Sequence, residues 1–165
     1  MTLGEPGCIL QDMSIFKKVR LRPNQLRTVA DRRFDDAETL RRTGRNARAN
    51  GAMYLGGFVI ECLLKARLME RHPWLQSQGS AEGLLGQWRS LWSLCYRSHD
   101  LDEIFGCLPD LKERLGASGS PRLLRSLKAI CAEWTVYARY SPHNATIEDA
   151  RKFLDQIKVL RPWLK

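Results

Sequence analysis

Apolar residues recur at steps of three and four positions along most of the chain, which is the spacing of amphipathic α-helices. No segment shows the strict alternation of a half-buried strand. The pattern predicts helices over about 24–44, 48–71, 84–95, 101–111, 121–140 and 147–164. We therefore expect an all-α protein, built as an up-and-down four-helix bundle with an additional short helix.

Capping residues and prolines set the expected helix boundaries. Ser98 is placed as the N-cap of the third main helix, which Pro109 interrupts. Ser120 followed by Pro121 predicts the start of a long fourth helix that continues to about Tyr140. Thr146, with acidic residues in the turn that follows, predicts the start of the last helix.

The same pattern divides the chain of 165 residues into two parts. Residues 1–22 show no clean period and are expected to form an N-terminal extension, and residues 23–165 one helical domain. No apolar stretch approaches the roughly 20 residues that span a bilayer. The first residues, with Glu5 and Pro6, do not resemble a secretory signal. We expect a soluble, cytoplasmic protein without a membrane partner.

Three glycines lie within the second predicted helix, at positions 51, 56 and 57. Each weakens an isolated helix by about 1 kcal/mol relative to alanine, so another interaction must offset them. They lack the Lys-Ser/Thr and the preceding strand of a phosphate-binding loop. We expect them to permit close approach of a neighbouring helix.

Charge is the compositional feature that bears on function. The formal net charge is +9, and 19 of the 27 basic residues are arginine, whose planar guanidinium suits phosphate. This favours a polyanionic partner, although basic domains without one are common. The five cysteines and three histidines show no zinc-ligand spacing, so we expect no metal and no cofactor.

Two pairs of polar residues have alternative interpretations. Glu61 and Lys65 have the spacing of a helical salt bridge, either on the exposed surface or lining a cleft, and the surface pair is favoured. His99, next to Asp100 at a predicted helix start, is interpreted as a capping or structural residue rather than a general base.

Three segments, in order, resemble the HEPN family of helical nucleotide- and RNA-associated domains. They are NGAMYLGGFVIECLLKARL (50–68), SHDL with Ile104 (98–104), and WTVYARY followed by Ser-Pro and an acid-capped helix (134–164). The resemblance implies a cytosolic helical bundle, frequently a homodimer, in toxin-antitoxin, antiphage or nucleotidyltransferase-linked systems. It implies RNA or a nucleotide as ligand, with Glu61, Lys65, His99, Arg139 and Tyr140 as candidate binding residues. The alternative for the last two is structural: Tyr140 ends the apolar stripe of its helix, and Arg139 interacts with the carbonyls at the helix C-terminus.

Many HEPN proteins are metal-independent ribonucleases with an arginine and a histidine separated by four to six residues. The counterparts here are Arg139 and His143, with three residues between them. A histidine can move a proton at the ribose 2′-hydroxyl, and an arginine can stabilise charge on the phosphate. However, Pro142 prevents a regular helix across the pair. Both RNA binding with ribonuclease activity and a non-catalytic adaptor that binds a partner such as a nucleotidyltransferase therefore remain open.

Overall fold

The structure, a computed structural model, describes residues 21–117 and 121–165. The longest helix, α2 (Ala49–Arg71), lies at its centre. Its residues from Val59 to Leu68 are almost all buried. It packs along α1 (Pro23–Arg42) and α7 (Ile147–Leu164), and it also contacts α3 (Gly86–Tyr96) and α4 (Leu101–Gly106). A helix that is apolar around most of its circumference is typical of the centre of a protein core.

Two further helices complete the fold. Helix α5 (Pro109–Ala117) packs against α6 (Pro121–Glu133), which also contacts α4 and α7. Short 3₁₀ helices cover Asn46–Arg48, Pro73–Gln76 and Val136–Tyr140. Within the described ranges the chain forms seven α-helices and no strand, which confirms the all-α prediction.

Several predicted boundaries agree with the structure. Pro23 occupies the first turn of α1, where its missing N–H costs nothing. Thr146 caps α7 in a reciprocal box: its hydroxyl accepts from the Asp149 N–H at 3.1 Å, and its own N–H donates to the Asp149 carboxylate at 3.0 Å. These boundaries depend only on local chemistry, which explains why the sequence reveals them.

Other predicted boundaries are wrong. Helix α6 ends at Glu133 rather than near Tyr140, because Thr135 is extended and its side chain accepts from the Tyr137 N–H to start the 3₁₀ helix. The interruption predicted at Pro109, by contrast, is confirmed, because the third main helix consists of α4 and α5 and Pro109 is the first residue of α5. Asp100, not Ser98, caps α4 by accepting from the Glu103 N–H at 2.9 Å.

Some predictions concern residues that the structure does not describe. Residues 1–20 of the predicted extension, and Ser120 before the predicted fourth helix, lie outside the described ranges. In the part that is described, none of the helices is both long enough and apolar enough to cross a membrane.

Close approach at the α2 glycines is confirmed. A Cβ added to Gly56 would lie 2.8 Å from Leu154 and 2.9 Å from Ile157, both on α7. A Cβ on Gly57 would lie 1.9 Å from the indole nitrogen of Trp134, the first residue after α6. The glycines therefore bring α7 and the end of α6 against α2.

Candidate functional site

One side of α2 carries a row of polar and aromatic residues spaced three or four positions apart. This spacing places them on one face of a helix with 3.6 residues per turn. We refer to the row as the α2 stripe; its members are Asn50, Tyr54, Phe58, Glu61 and Lys65. The segment 134–145 and residues Ser98 and His99 all contact it.

A charged cluster lies at the Lys65 end of the α2 stripe. The Lys65 Nζ donates to Glu61 Oε1 at 2.8 Å and to the Ser98 carbonyl at 2.7 Å. The Nδ1 atom of His99 lies 3.0 Å from both carboxylate oxygens of Glu61. Because a carboxylate only accepts, His99 Nδ1 is the donor of this hydrogen bond.

Burial changes the interpretation of the Glu61–Lys65 pair. The predicted i, i+4 contact forms, but the two residues are only 4 % and 6 % exposed, so the predicted surface salt bridge is wrong. A buried pair is retained only when further hydrogen bonds compensate for the lost hydration. Ser98 and His99 supply those bonds, so His99 does not cap a helix; it is bound to the buried carboxylate.

An aromatic cluster joins the charged cluster to the other end of the α2 stripe. Phe58 contacts the ring of His99 at 5.9 Å and that of Trp134 at 5.6 Å, each edge to face. Tyr54 contacts Phe58 at 5.0 Å and stacks on Trp134 at 6.2 Å. The rings form one continuous apolar layer over α2, with the indole against Gly57.

Arg139 lies at the outer edge of this aromatic layer. Its guanidinium carbon is 4.7 Å from the Tyr140 ring centroid and 6.0 Å from that of Tyr54. Its Nη1 also donates to the Tyr54 hydroxyl at 3.3 Å. Tyr140 is 69 % exposed. Cation–π contacts hold the guanidinium in place while leaving its charge available to an anion.

Among the described residues, the hydrogen bonds of His143 are made by its backbone. The Asn50 amide donates to the His143 carbonyl at 2.7 Å and accepts from the Ala145 N–H at 2.7 Å. The imidazole of His143 is exposed. The 3₁₀ helix ends at Tyr140, so Arg139 and His143 do not share a regular helix. Asn50 therefore anchors the loop between α6 and α7 to the start of α2.

Two further arginines without an ion pair in the described ranges lie near this end of the α2 stripe. Arg45 and Arg48 flank Asn46, whose side chain accepts from the Ile147 N–H at 2.9 Å at the start of α7. Both arginines are exposed. Among the described residues, neither they nor Arg139 form an ion pair. Such arginines favour phosphate binding.

A cleft of about 540 Å³ opens beside the aromatic layer, between the start of α4 and the end of α6. His99, Trp134 and Tyr137 line it, together with Asp100 and Asp102. Cys131 also lines it, but burial, with smaller contributions from Asp102 and Asp100, raises the pKa of that thiol to about 12. The thiol is therefore protonated near neutral pH and is a poor nucleophile.

The sequence identified part of this arrangement. The structure brings Glu61, Lys65 and His99 into direct contact, and it places Arg139 and Tyr140 together at the opposite end. The sequence reasoning missed Tyr54, Phe58 and Trp134, which connect the two ends, and Asn50, which anchors the loop. The helical spacing from Asn50 to Lys65 was the signal that could have revealed the α2 stripe.

Comparisons of the chain with protein-family models, with curated proteins and with solved structures found no match. No group of three metal-ligating side chains occurs within the described residues.

Proposed function

We propose that this protein is a HEPN-like domain that binds RNA or a nucleotide at the Arg139 end of the α2 stripe. In this proposal the helices form the up-and-down four-helix bundle with an additional short helix that the sequence pattern predicts. The protein acts in the cytoplasm as a homodimer, in a prokaryotic defence or toxin-antitoxin system. The resemblance of residues 50–68, 98–104 and 134–164 supports the family assignment.

The observation that carries the ligand class is the environment of Arg139. Its guanidinium is held by Tyr54 and Tyr140 and forms no ion pair among the described residues, while Tyr140 and Tyr137 remain exposed. Arginine beside aromatic rings suits a single-stranded nucleic acid, because the charge binds phosphate and the rings stack on bases. The exposed Arg45 and Arg48 add further positive charge.

Fluorescence anisotropy of a labelled single-stranded RNA, titrated over a range of salt concentrations, tests this proposal. Each phosphate contact that is lost lowers the slope of log affinity against log salt by roughly 0.7 for a single strand. We expect Arg139→Ala to weaken binding and to lower the slope by about that amount. Arg139→Lys keeps the charge but loses the planar guanidinium. Its salt dependence should therefore stay closer to that of the unmodified protein than its affinity does.

The matched control is Arg89→Ala, which removes an exposed arginine on α3. This variant should bind RNA nearly as well as the unmodified protein. Equal affinities and slopes for Arg139→Ala and Arg89→Ala would refute the assignment of Arg139.

A second experiment tests whether Arg139 and His143 also perform metal-independent cleavage. The same RNA is incubated with the protein in the presence of EDTA, and His143→Ala is compared as a second variant.

A non-catalytic adaptor is the second candidate, and one surface favours it. Leu85 and Trp88 are exposed at the start of α3, and Trp88 packs edge to face on Trp74 at 5.2 Å. Exposed apolar side chains that lie together are typical of protein-binding surfaces. Absence of RNA binding even at low salt would favour the adaptor, with a protein such as a nucleotidyltransferase as its partner.

A further inference from the structure

The cleft beside the aromatic layer differs in charge from the rest of the candidate site. Arg139 and the other free arginines lie outside it, whereas Asp100 and Asp102 line it. Among the described residues, neither carboxylate has a cation within ion-pair distance. Two unneutralised carboxylates repel phosphate, so the cleft suits an uncharged part of a ligand.

His99 adds another hydrogen-bond acceptor to the wall of the cleft. Its Nδ1 donates to Glu61, whose carboxylate Lys65 holds from the other side. In the neutral imidazole the second ring nitrogen, Nε2, therefore carries the lone pair and accepts. The side chain of His99 is 45 % exposed, so a ligand can reach it. Together with the two carboxylates, the cleft presents acceptors and favours a ligand with neighbouring N–H donors.

Tyr137 supplies a flat surface at the same cleft. It is 73 % exposed and lines the opening, on the 3₁₀ helix that also carries Arg139. Trp134 links this cleft to Arg139, because it lines the cleft and stacks on Tyr54, whose hydroxyl accepts from Arg139. An anion bound by Arg139 would therefore lie beside the rings that adjoin a base in the cleft.

We propose that this cleft is a nucleobase pocket that prefers guanine. This inference rests on the proposed RNA- or nucleotide-binding function and names the base that the site selects. The Watson–Crick edge of guanine presents two neighbouring donors, N1–H and the N2 amino group, to the carboxylates of Asp100 and Asp102 and to His99. Uracil offers one N–H between two carbonyl groups, and these carbonyl oxygens would be repelled by the carboxylates. Tyr137 stacks on the ring, and Arg139 binds the adjoining phosphate.

Labelled oligonucleotides of about ten nucleotides, a length suited to a single-strand site, test the pocket. One probe is oligouridine, and the others carry a single guanosine, adenosine, cytidine or inosine at the central position. We expect the guanosine probe to bind at least about fivefold tighter than oligouridine, the lower end for a good bidentate contact. Inosine lacks the N2 amino group and should lose most of this advantage.

Three variants assign the preference to the cleft. Asp102→Asn should reduce the preference for guanosine without weakening oligouridine binding, whereas Tyr137→Ala should weaken all probes to a similar extent because stacking does not depend on the base. Asp36→Asn, which alters an exposed carboxylate on α1, is the control and should change neither quantity.

The outcomes separate this inference from the proposed function. Equal binding of all five probes, or a guanosine preference that Asp102→Asn leaves intact, would overturn the nucleobase pocket while Arg139-dependent RNA binding stands. Failure of every probe to bind at low salt would overturn both. A preference for adenosine or cytidine over guanosine would likewise refute the assignment of the base.

Discussion

At the scale of one residue, Gly57 is a position where replacement by alanine improves helix propensity but is opposed by a tertiary contact. An alanine in the middle of a helix is normally about 1 kcal/mol more favourable than glycine. At Gly57 the added Cβ would lie 1.9–2.2 Å from three atoms of the Trp134 indole. The indole also contacts the rings of Tyr54 and Phe58, so it cannot move without disturbing both.

We therefore expect Gly57→Ala to destabilise the protein by about 1–3 kcal/mol, the usual range for overpacking a well-packed core. Gly116→Ala is the matched control, because Gly116 lies in α5 with nothing within 4 Å of its added Cβ. The control should be neutral or slightly stabilising. Urea unfolding followed by circular dichroism measures both. A Gly57→Ala protein as stable as the control would show that the Trp134 contact is not tight in solution.

At the scale of an element, the α2 stripe joins α2 to the segment before α4. The connection is polar at one end, where Lys65 donates to Glu61 and to the Ser98 carbonyl, and aromatic at the other, where Phe58 contacts the His99 ring. Removing one partner of a buried pair leaves an uncompensated charge, which costs far more than breaking a surface pair. Burial therefore determines how much this pair matters.

We predict that Lys65→Met destabilises the protein by about 3–5 kcal/mol, because the Glu61 carboxylate stays buried with His99 as its remaining partner. Arg33→Ala, which breaks the half-exposed pair with Asp36 on α1, should cost less than about 1 kcal/mol. Denaturant unfolding compares the two. The double variant Lys65→Met with Glu61→Leu should recover part of the loss. A Lys65→Met protein no less stable than Arg33→Ala would contradict the buried pair.

At the scale of the whole molecule, the helices around α2 form one core. Cys62 on α2, Cys95 on α3 and Cys131 on α6 are buried in it, and burial raises the pKa of each thiol from 9.0 to about 12. A thiol whose pKa is higher in the folded state than in the unfolded state contributes stability that is fully present below about pH 9, the unfolded value. This contribution is lost as the pH rises towards 12.

We expect iodoacetamide at pH 8 to modify the partly exposed Cys107 before these three buried thiols in the native protein. As urea is added, Cys62, Cys95 and Cys131 should become reactive together, because one core unfolds cooperatively. Mass spectrometry of peptides measures each site separately. Separate transitions for Cys131 and Cys62 would instead show that α6 detaches from α4 and α7 before the rest of the core unfolds.

Local chemistry explains which features were predictable. The helix-start signals at Pro23 and Thr146 act within one turn, and the apolar periodicity of α2 reflects its own burial. Glu61 and Lys65 were identified as a pair because their spacing is helical. Their burial was not predictable, because it depends on Ser98 and His99, which are more than 30 residues away in the chain.

The sequence by itself determined that this chain is all-helical, where α1, α2 and α7 lie, and that its glycines admit close packing, because these properties follow from helical periodicity and local capping. Only the tertiary structure decided which partners hold Glu61 and how Arg139 comes to lie beside Tyr54. Each of these depends on contacts between residues distant in the chain, where Trp134 against Gly57 and Asn50 against the His143 loop override local preference.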